Sequence, residues 1–254
     1  MMEKKSEVKV KSLQKALRVL DCFMEKQPLG VTEISEELGL YKSNVYDILS
    51  TLTAMNYLVK SEETGKYYLG INLVRLGRAA ADRYSFQNIA APHLRQISKE
   101  VGEIAYLTIP LGHQVYYLDT AFPSESNTHL SSALRNSTDN MHTTSSGKVM
   151  LAHMPQEFVN EYLSMPIIAL TEYTITDPDA LREELVRIRL RGYGIDNQEN
   201  AIGLRCVAVP ILARDGSVIG AMSVSGPSPR FTESRIQQFA ELLKKHVREI
   251  QSDL

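Results

Sequence analysis

The sequence predicts an α+β chain in two parts: a winged helix-turn-helix in front, and behind it a larger domain whose mainly antiparallel sheet is packed with helices. Three observations predict this. Residues 31–58, VTEISEELGLYKSNVYDILSTLTAMNYL, hold two short helical stripes separated by a glycine. Two β-rich runs flanking Glu62-Glu63-Thr64-Gly65 then read as a small hairpin. From Phe86 onward helical patterns alternate with strand pairs, turning at Gly112-His113 and at Asp215-Gly216. At 254 residues, 43% apolar and 23% charged, the chain suits two globular domains of ordinary size. We expect boundaries at 1–70 for the winged helix-turn-helix, 71–85 for a linker helix and 86–254 for the second domain.

Taken in order, the chain opens on a basic arm. Lys4, Lys5, Lys9, Lys11, Lys15 and Arg18 face only Glu3 and Glu7, as suits phosphates or, equally, a solvated terminus. The net charge of -2 conceals an asymmetry: the first 78 residues carry 12 basic and 10 acidic groups, the remainder 16 and 20. Leu13, Ala16, Leu17, Leu20, Phe23 and Met24 predict a helix packed beneath the motif and ended by Pro28 and Gly30. Cys22 reads as a bystander near that core.

In the first helix of the motif Thr32 is the expected cap, Ile34 and Leu38 point inward, and Gly39 supplies the left-handed turn. Ser43 is the expected cap of the second helix, with Val45, Ile48, Leu49, Leu52 and Met55 inward. This leaves Lys42, Ser43, Asn44, Tyr46, Asp47 and Ser50 outward. Such a helix enters the major groove by its N-terminal turns, so we assign phosphate contact to Lys42 and Ser43 and base reading to Asn44 and Tyr46. An ordinary helical hairpin with a solvated face has the same pattern. In the wing, Lys60 and Lys66 stand where they can touch phosphates or simply face solvent. A helix from 71 to about 84, with Leu73, Leu76 and Ala80 among Arg75, Arg78 and Arg83, reads as connector and dimer contact, because a two-fold protein matches repeated DNA half-sites.

The second domain starts with a helix at 89–101, followed by the hairpin AYLTIPL and VYYLDTAF. Residues 123–142 are polar, with a strand expected at 128–134 and a loop that can cover a pocket. Thr143-Thr144-Ser145-Ser146-Gly147-Lys148 leads into a helix whose first amides attract anions. It is not a nucleotide-triphosphate loop, since His142 stands where glycine is needed and Val149 where a hydroxyl is needed. Asp177-Pro178 starts a helix ending at Gly192, two strands flank Asp215-Gly216, and a last helix from Thr232 carries Ile236, Phe239, Leu243, Val247 and Ile250 on one side.

Taken together, SLQKALRVLDCF, VTEISEELGLYKSNVYDILSTL, ETGKYYLGINLVRLG, SSGKVMLA, RGYGIDNQENAIGLRCVAVPI and MSVSGPSPRF resemble the IclR family of bacterial transcriptional regulators along nearly the whole chain. The resemblance implies a GAF-like effector domain behind the winged helix and homodimers or homotetramers on double-stranded operator DNA, most members repressing. It also implies an effector pocket at Ser145, Ser146, Gly147, Asp196, Cys206, Ser223 and Ser225, taking a small organic acid: a keto or sugar acid, or an aromatic acid if the loop with Phe122 and Leu130 makes the pocket apolar. Ser145 and Ser146 replace the small glycine or alanine frequent there, and Tyr46-Asp47 stands where family recognition helices often carry arginine.

Each position also has a plainer reading: Cys206 as an inert buried thiol, Ser145 and Ser146 as helix caps, Asp196 as a turn residue. Ser223 and Ser225, two apart on a strand, share a face. Enzyme chemistry is not expected, for there is no G-x-S-x-G elbow, no H-E-x-x-H helix and no base assignable to Cys206. The rival reading is a metal or redox sensor combining Cys206 with His113, His129 or His142, although their spacing is not that of a metal site. No cofactor is expected. Without an apolar run of membrane length or a signal peptide, no membrane role is expected and the cytoplasm is the expected compartment.

Overall fold

The computed structural model describes residues 8–81, 86–123 and 138–254, and the chain divides into compact units at residues 84 and 85. The expected strand at 128–134, Leu130, His129, Arg83 and the arm residues Lys4 and Lys5 lie outside the described residues.

The first unit holds α1 (Lys11–Glu25), α2 (Val31–Leu38), α3 (Lys42–Ala54), the antiparallel pair β1 (Leu58–Lys60) and β2 (Tyr67–Leu69), and α4 (Ile71–Ala81). Val19, Phe23, Ile34, Val45, Leu49, Leu58 and Tyr67 make its core. Gly39 ends α2 with φ 65, the left-handed turn expected of it. The expected caps lie elsewhere. Gly30 is the N-cap of α2 and its N–H donates to Glu33 Oε2 at 2.8 Å, while Tyr41 precedes α3; Thr32 and Ser43 fall inside the first turns. The stripe on α1 also differs from expectation. Leu13, Leu17 and Met24 are exposed and Val19, Cys22 and Phe23 are buried, because only the C-terminal half of α1 meets the core of this unit. Met55 is exposed too, since it caps α3 beyond the packed turns.

In the second unit α5 (Phe86–Val101) begins three residues before the expected start. It is followed by β3 (Ile104–Leu111), β4 (Gln114–Ala121), β5 (Thr138–Asn140), α6 (Ser145–His153), α7 (Gln156–Ser164), α8 (Pro178–Arg191), β6 (Gly194–Asn197), β7 (Leu204–Leu212), β8 (Val218–Pro227) and α9 (Glu233–Ser252). The strands form one antiparallel sheet in the order β5-β4-β3-β8-β7-β6. Side chains alternate across it. Leu107, Val207, Val209, Met222 and Val224 pack with α5 and α9, whereas Ala208 and Ala221 pack with α6, α7 and α8. The fold is therefore a winged helix-turn-helix joined in one chain to a sheet with helices on both faces. Among the described residues no helix is long and apolar enough to cross a membrane.

Candidate functional site

On the first unit, α3 buries Val45 and Leu49 and leaves Lys42, Ser43, Asn44, Tyr46, Asp47 and Ser50 exposed, so the outward face is polar at its N-terminal turns. Tyr41, which the sequence reading passed over, is the most open aromatic of this face at 82% exposure. The wing lysines differ from one another. Lys60 is exposed and lies over the Tyr67 ring at 5.6 Å, whereas Lys66 Nζ pairs with Glu33 Oε2 at 3.0 Å. The Lys66 hydrogen bond, with the Gly30 N–H, holds the Glu33 carboxyl below its ordinary range. Glu33 thus joins the wing to the start of α2.

On the second unit, strand register creates the constellation. Asp196, Cys206 and Ser225 are successive partners across β6, β7 and β8, and Ser223 lies opposite Ala208 on one side and Tyr106 on the other. These side chains share the face covered by α6, which packs on all three strands. Asp196 is 1% exposed. Its Oδ1 accepts the N–H groups of Glu199 at 2.7 Å and Asn200 at 3.3 Å, so it does organise the turn after β6. Its Oδ2 is buried with no hydrogen-bond partner among the described residues. Burial pushes this carboxyl up to about 6, against the pull of the Glu199 N–H and the Lys148 charge. Within that turn Gln198 is held at φ 65, a conformation that costs a non-glycine residue on the order of 1 kcal/mol, and Thr171 Oγ1 donates to its carbonyl at 2.7 Å.

Cys206 Sγ donates to Ser225 Oγ at 3.0 Å. Burial first, then the Asp196 carboxylate, raises the thiol well above its ordinary range, so it remains protonated and is a poor nucleophile. Of the metal alternative, His129 lies outside the described residues. His142 is bonded to Tyr162 Oη and the Ile168 carbonyl, His113 lies near Glu161, and among the described residues neither groups with Cys206.

Ser145, Ser146 and Gly147 form the buried first turn of α6, but neither serine is its cap. Thr144 is, its Oγ1 accepting the Gly147 N–H at 3.0 Å. Gly147 has a packing duty of its own: a Cβ there would stand 2.3 Å from the Met141 carbonyl oxygen. With the Gly147 amide taken by the Thr144 cap, the amides of Ser145 and Ser146 remain as the helix-start donors.

Sequence reading missed several residues. Tyr106 and Tyr117 meet edge to face at 5.2 Å, and Tyr117 Oη donates to Asp139 Oδ2 at 2.7 Å. Burial raises both phenols, with Cys206 and Asp139 adding to it, which places all four groups in one neighbourhood. Strand periodicity was the available signal, since Tyr106 and Thr108 alternate with the core residues Ala105, Leu107 and Ile109. Lys148, 1% exposed, forms a buried ion pair with Glu199 that ties α6 to the turn after β6. The assembled face offers hydroxyl donors, an anion-attracting helix start and two carboxylates, a set suited to binding a small polar molecule.

Comparisons with known proteins agree with this division of labour. Residues 12–62 match the IclR helix-turn-helix domain, and residues 78–252 match the C-terminal domain described as bacterial transcriptional regulator IclR. The HTH-type transcriptional regulator BhcR of Paracoccus denitrificans is 32% identical over 243 residues, covering 95% of this chain and 86% of BhcR. KdgR of Escherichia coli, also an HTH-type transcriptional regulator, is 32% identical over 246 residues, covering 96% of this chain and 93% of KdgR. Among solved structures, an IclR homolog from Microbacterium hydrocarbonoxydans complexed with 4-hydroxybenzoate superposes with a TM-score of 0.84 at 25% identity, over 96% of this chain and 98% of that one. These relatives are described as transcriptional regulators or a regulator homolog. Winged helix, six-stranded sheet and matched domains together show that the chain belongs to the IclR family of bacterial transcriptional regulators.

Proposed function

We propose that this protein is a cytoplasmic repressor whose binding to double-stranded operator DNA is controlled by a small organic acid held in the second unit. The observation that carries the reading is the row Asp196, Cys206 and Ser225, its two ends buried and Asp196 Oδ2 unpartnered among the described residues, on the face that α6 covers. A buried acceptor without a partner loses on the order of 1–3 kcal/mol that a ligand hydroxyl can recover. In this reading Asp196 accepts from a hydroxyl of a keto, sugar or aromatic acid. Ser223, Ser225 and the Ser145, Ser146 and Gly147 turn hold the carboxylate. Tyr106 and Tyr117 flank the ligand. The Microbacterium homolog's 4-hydroxybenzoate, an aromatic acid bearing a hydroxyl, has both of these functions.

On the DNA side, Lys42 and Ser43 take phosphates, Asn44 and Tyr46 read bases, and Lys60 and Lys66 approach the backbone from the wing. The protein acts as a homodimer or homotetramer. The exposed apolar side chains Leu13 and Leu17 of α1, with Ile71, Val74 and Leu76 of α4, support self-association of the DNA-binding part. The organisation is then residues 1–70 for DNA, 71–85 as linker helix and 86–254 for effector and assembly. Repression is the direction in which most members of the family work. A ligand that prefers one arrangement of the regulatory domains shifts DNA affinity by its differential affinity alone, and about 1–3 kcal/mol of coupling gives a roughly 5- to 150-fold response. A thermal-shift screen of keto, sugar and aromatic acids, with operator binding measured for each hit, tests this. If ligands bind and none changes DNA affinity, the switch reading is wrong.

A further inference from the structure

On the opposite side of the sheet, in the helical layer of α5 and α9, His246 interrupts an apolar stripe. It is 2% exposed and sits among Leu243, Val247 and Ile250, where a buried imidazole needs a partner. His93 of α5 faces it, Nδ1 to Nδ1, at 2.9 Å, the rings inclined at 74°. Glu249, one turn beyond His246 on α9, brings Oε2 to 3.6 Å from His93 Nδ1 and 4.0 Å from His246 Nδ1. Among the described residues this is the one group of three or more His, Cys, Asp or Glu side chains whose ligand atoms converge, all within 4.8 Å.

We propose that His93, His246 and Glu249 bind a divalent transition-metal ion that ties α9 to α5. Ligands bound at about 2.0–2.2 Å in tetrahedral array lie roughly 3.3–3.5 Å from one another. The three observed separations bracket that spacing, so side-chain shifts below about 1 Å bring the donors onto one ion. Two imidazole nitrogens and one carboxylate select zinc, cobalt or nickel over magnesium or calcium, which take oxygen donors. The charge balance is favourable, since Glu100 of α5 acts on His246 beside Glu249, with Lys245 as the opposing cation. His246 closes the back of the site and half-exposed Glu249 its mouth, where water completes the coordination. His246 Nε2 is buried and has no hydrogen-bond partner among the described residues, so the site lacks the outer acceptor that strengthens structural zinc centres and binds more weakly than they do. The site lies across the sheet from the effector face and does not depend on how that face is read.

The test is titration of the tag-free, full-length protein with Co²⁺ after chelator treatment, followed by visible absorption and unfolding temperature. The expected result is one Co²⁺ per chain, with d–d bands of low coordination number, displacement by Zn²⁺ and a higher unfolding temperature. His93→Ala and the exposed Glu249→Gln should each weaken binding by about tenfold or more. Absence of stoichiometric binding, binding unchanged in both variants, or a thiolate-to-cobalt charge-transfer band would each overturn the proposal, the last by placing the ion on a cysteine.

Discussion

The two polar faces of this protein are built on opposite principles. On α3 the polar side chains are exposed, while Val45 and Leu49 do the packing beneath them. On the β6, β7 and β8 face the polar groups are themselves the interior. Asp196, Lys148, Glu199, Ser223 and Ser225 are all buried, and burial raises the Asp196 and Glu199 carboxyls. A surface that meets a polyanion gains from solvated charge and salt-dependent attraction. One that encloses a small ligand gains from groups whose hydration has already been lost during folding. Substitutions should therefore act mainly on binding at the first face and mainly on stability at the second.

The largest effect is expected at Lys148. Lys148→Ala leaves Glu199 buried without its cation and should destabilise the second unit by about 3–5 kcal/mol, measured by chemical denaturation. The double change Lys148→Met with Glu199→Gln should recover much of that loss, because it removes both charges; an equal loss in single and double variants would point to packing instead.

Asp196→Asn is next, and of opposite sign. The folded carboxyl is raised to about 6 from 3.8, so the native state holds its proton more tightly and stability falls as pH rises through that window. The neutral variant should therefore be more stable than the parent by about 1–3 kcal/mol above pH 7 and lose that advantage below about pH 4. Denaturation at pH 4 and pH 8 checks it. A carboxylate ligand placed close to Asp196 should also bind more weakly as pH rises through about 6, as ionisation adds a like charge.

On the DNA face the expected changes are in binding. Asn44→Ala should cost about 1–3 kcal/mol at its matched base and little elsewhere. Lys42→Ala should weaken all sequences alike and lower the salt slope by about 1. The smallest effect is expected for Lys66→Ala, whose charge is already engaged by Glu33; a slope change as large as that of Lys42→Ala would show that DNA displaces this pair.

What could be read in advance follows the same contrast. Amphipathic spacing around Gly39, the Asp215-Gly216 turn and the stripe from Ile236 to Ile250 are local patterns, and the corresponding elements are present. Long-range partnerships were not legible. Lys148 and Glu199 are 51 positions apart, His93 and His246 are 153 apart, and Tyr106 lies on a strand buried on both faces, so periodicity could not say which face held the polar cluster. The short α7 escaped because its apolar Phe158, Val159, Tyr162 and Leu163 span barely two turns. On α1 the stripe was visible, but which half would meet the core depended on α2 and α3. The resemblance implied a set of effector positions, and strand register explains why three of them are neighbours: Asp196, Cys206 and Ser225 are partners across three adjacent strands.

The central claim, that occupancy of the buried face is linked to operator affinity, is tested most directly by measuring DNA binding with and without a ligand found in the acid screen, in the parent and in Asp196→Asn. Linkage predicts a ligand-dependent change in the parent's DNA affinity of about 5- to 150-fold, and a smaller change at the same ligand concentration in the variant, whose DNA affinity without ligand is intact. Equal ligand responses in the two proteins, or none in a parent shown to bind the ligand, would contradict it.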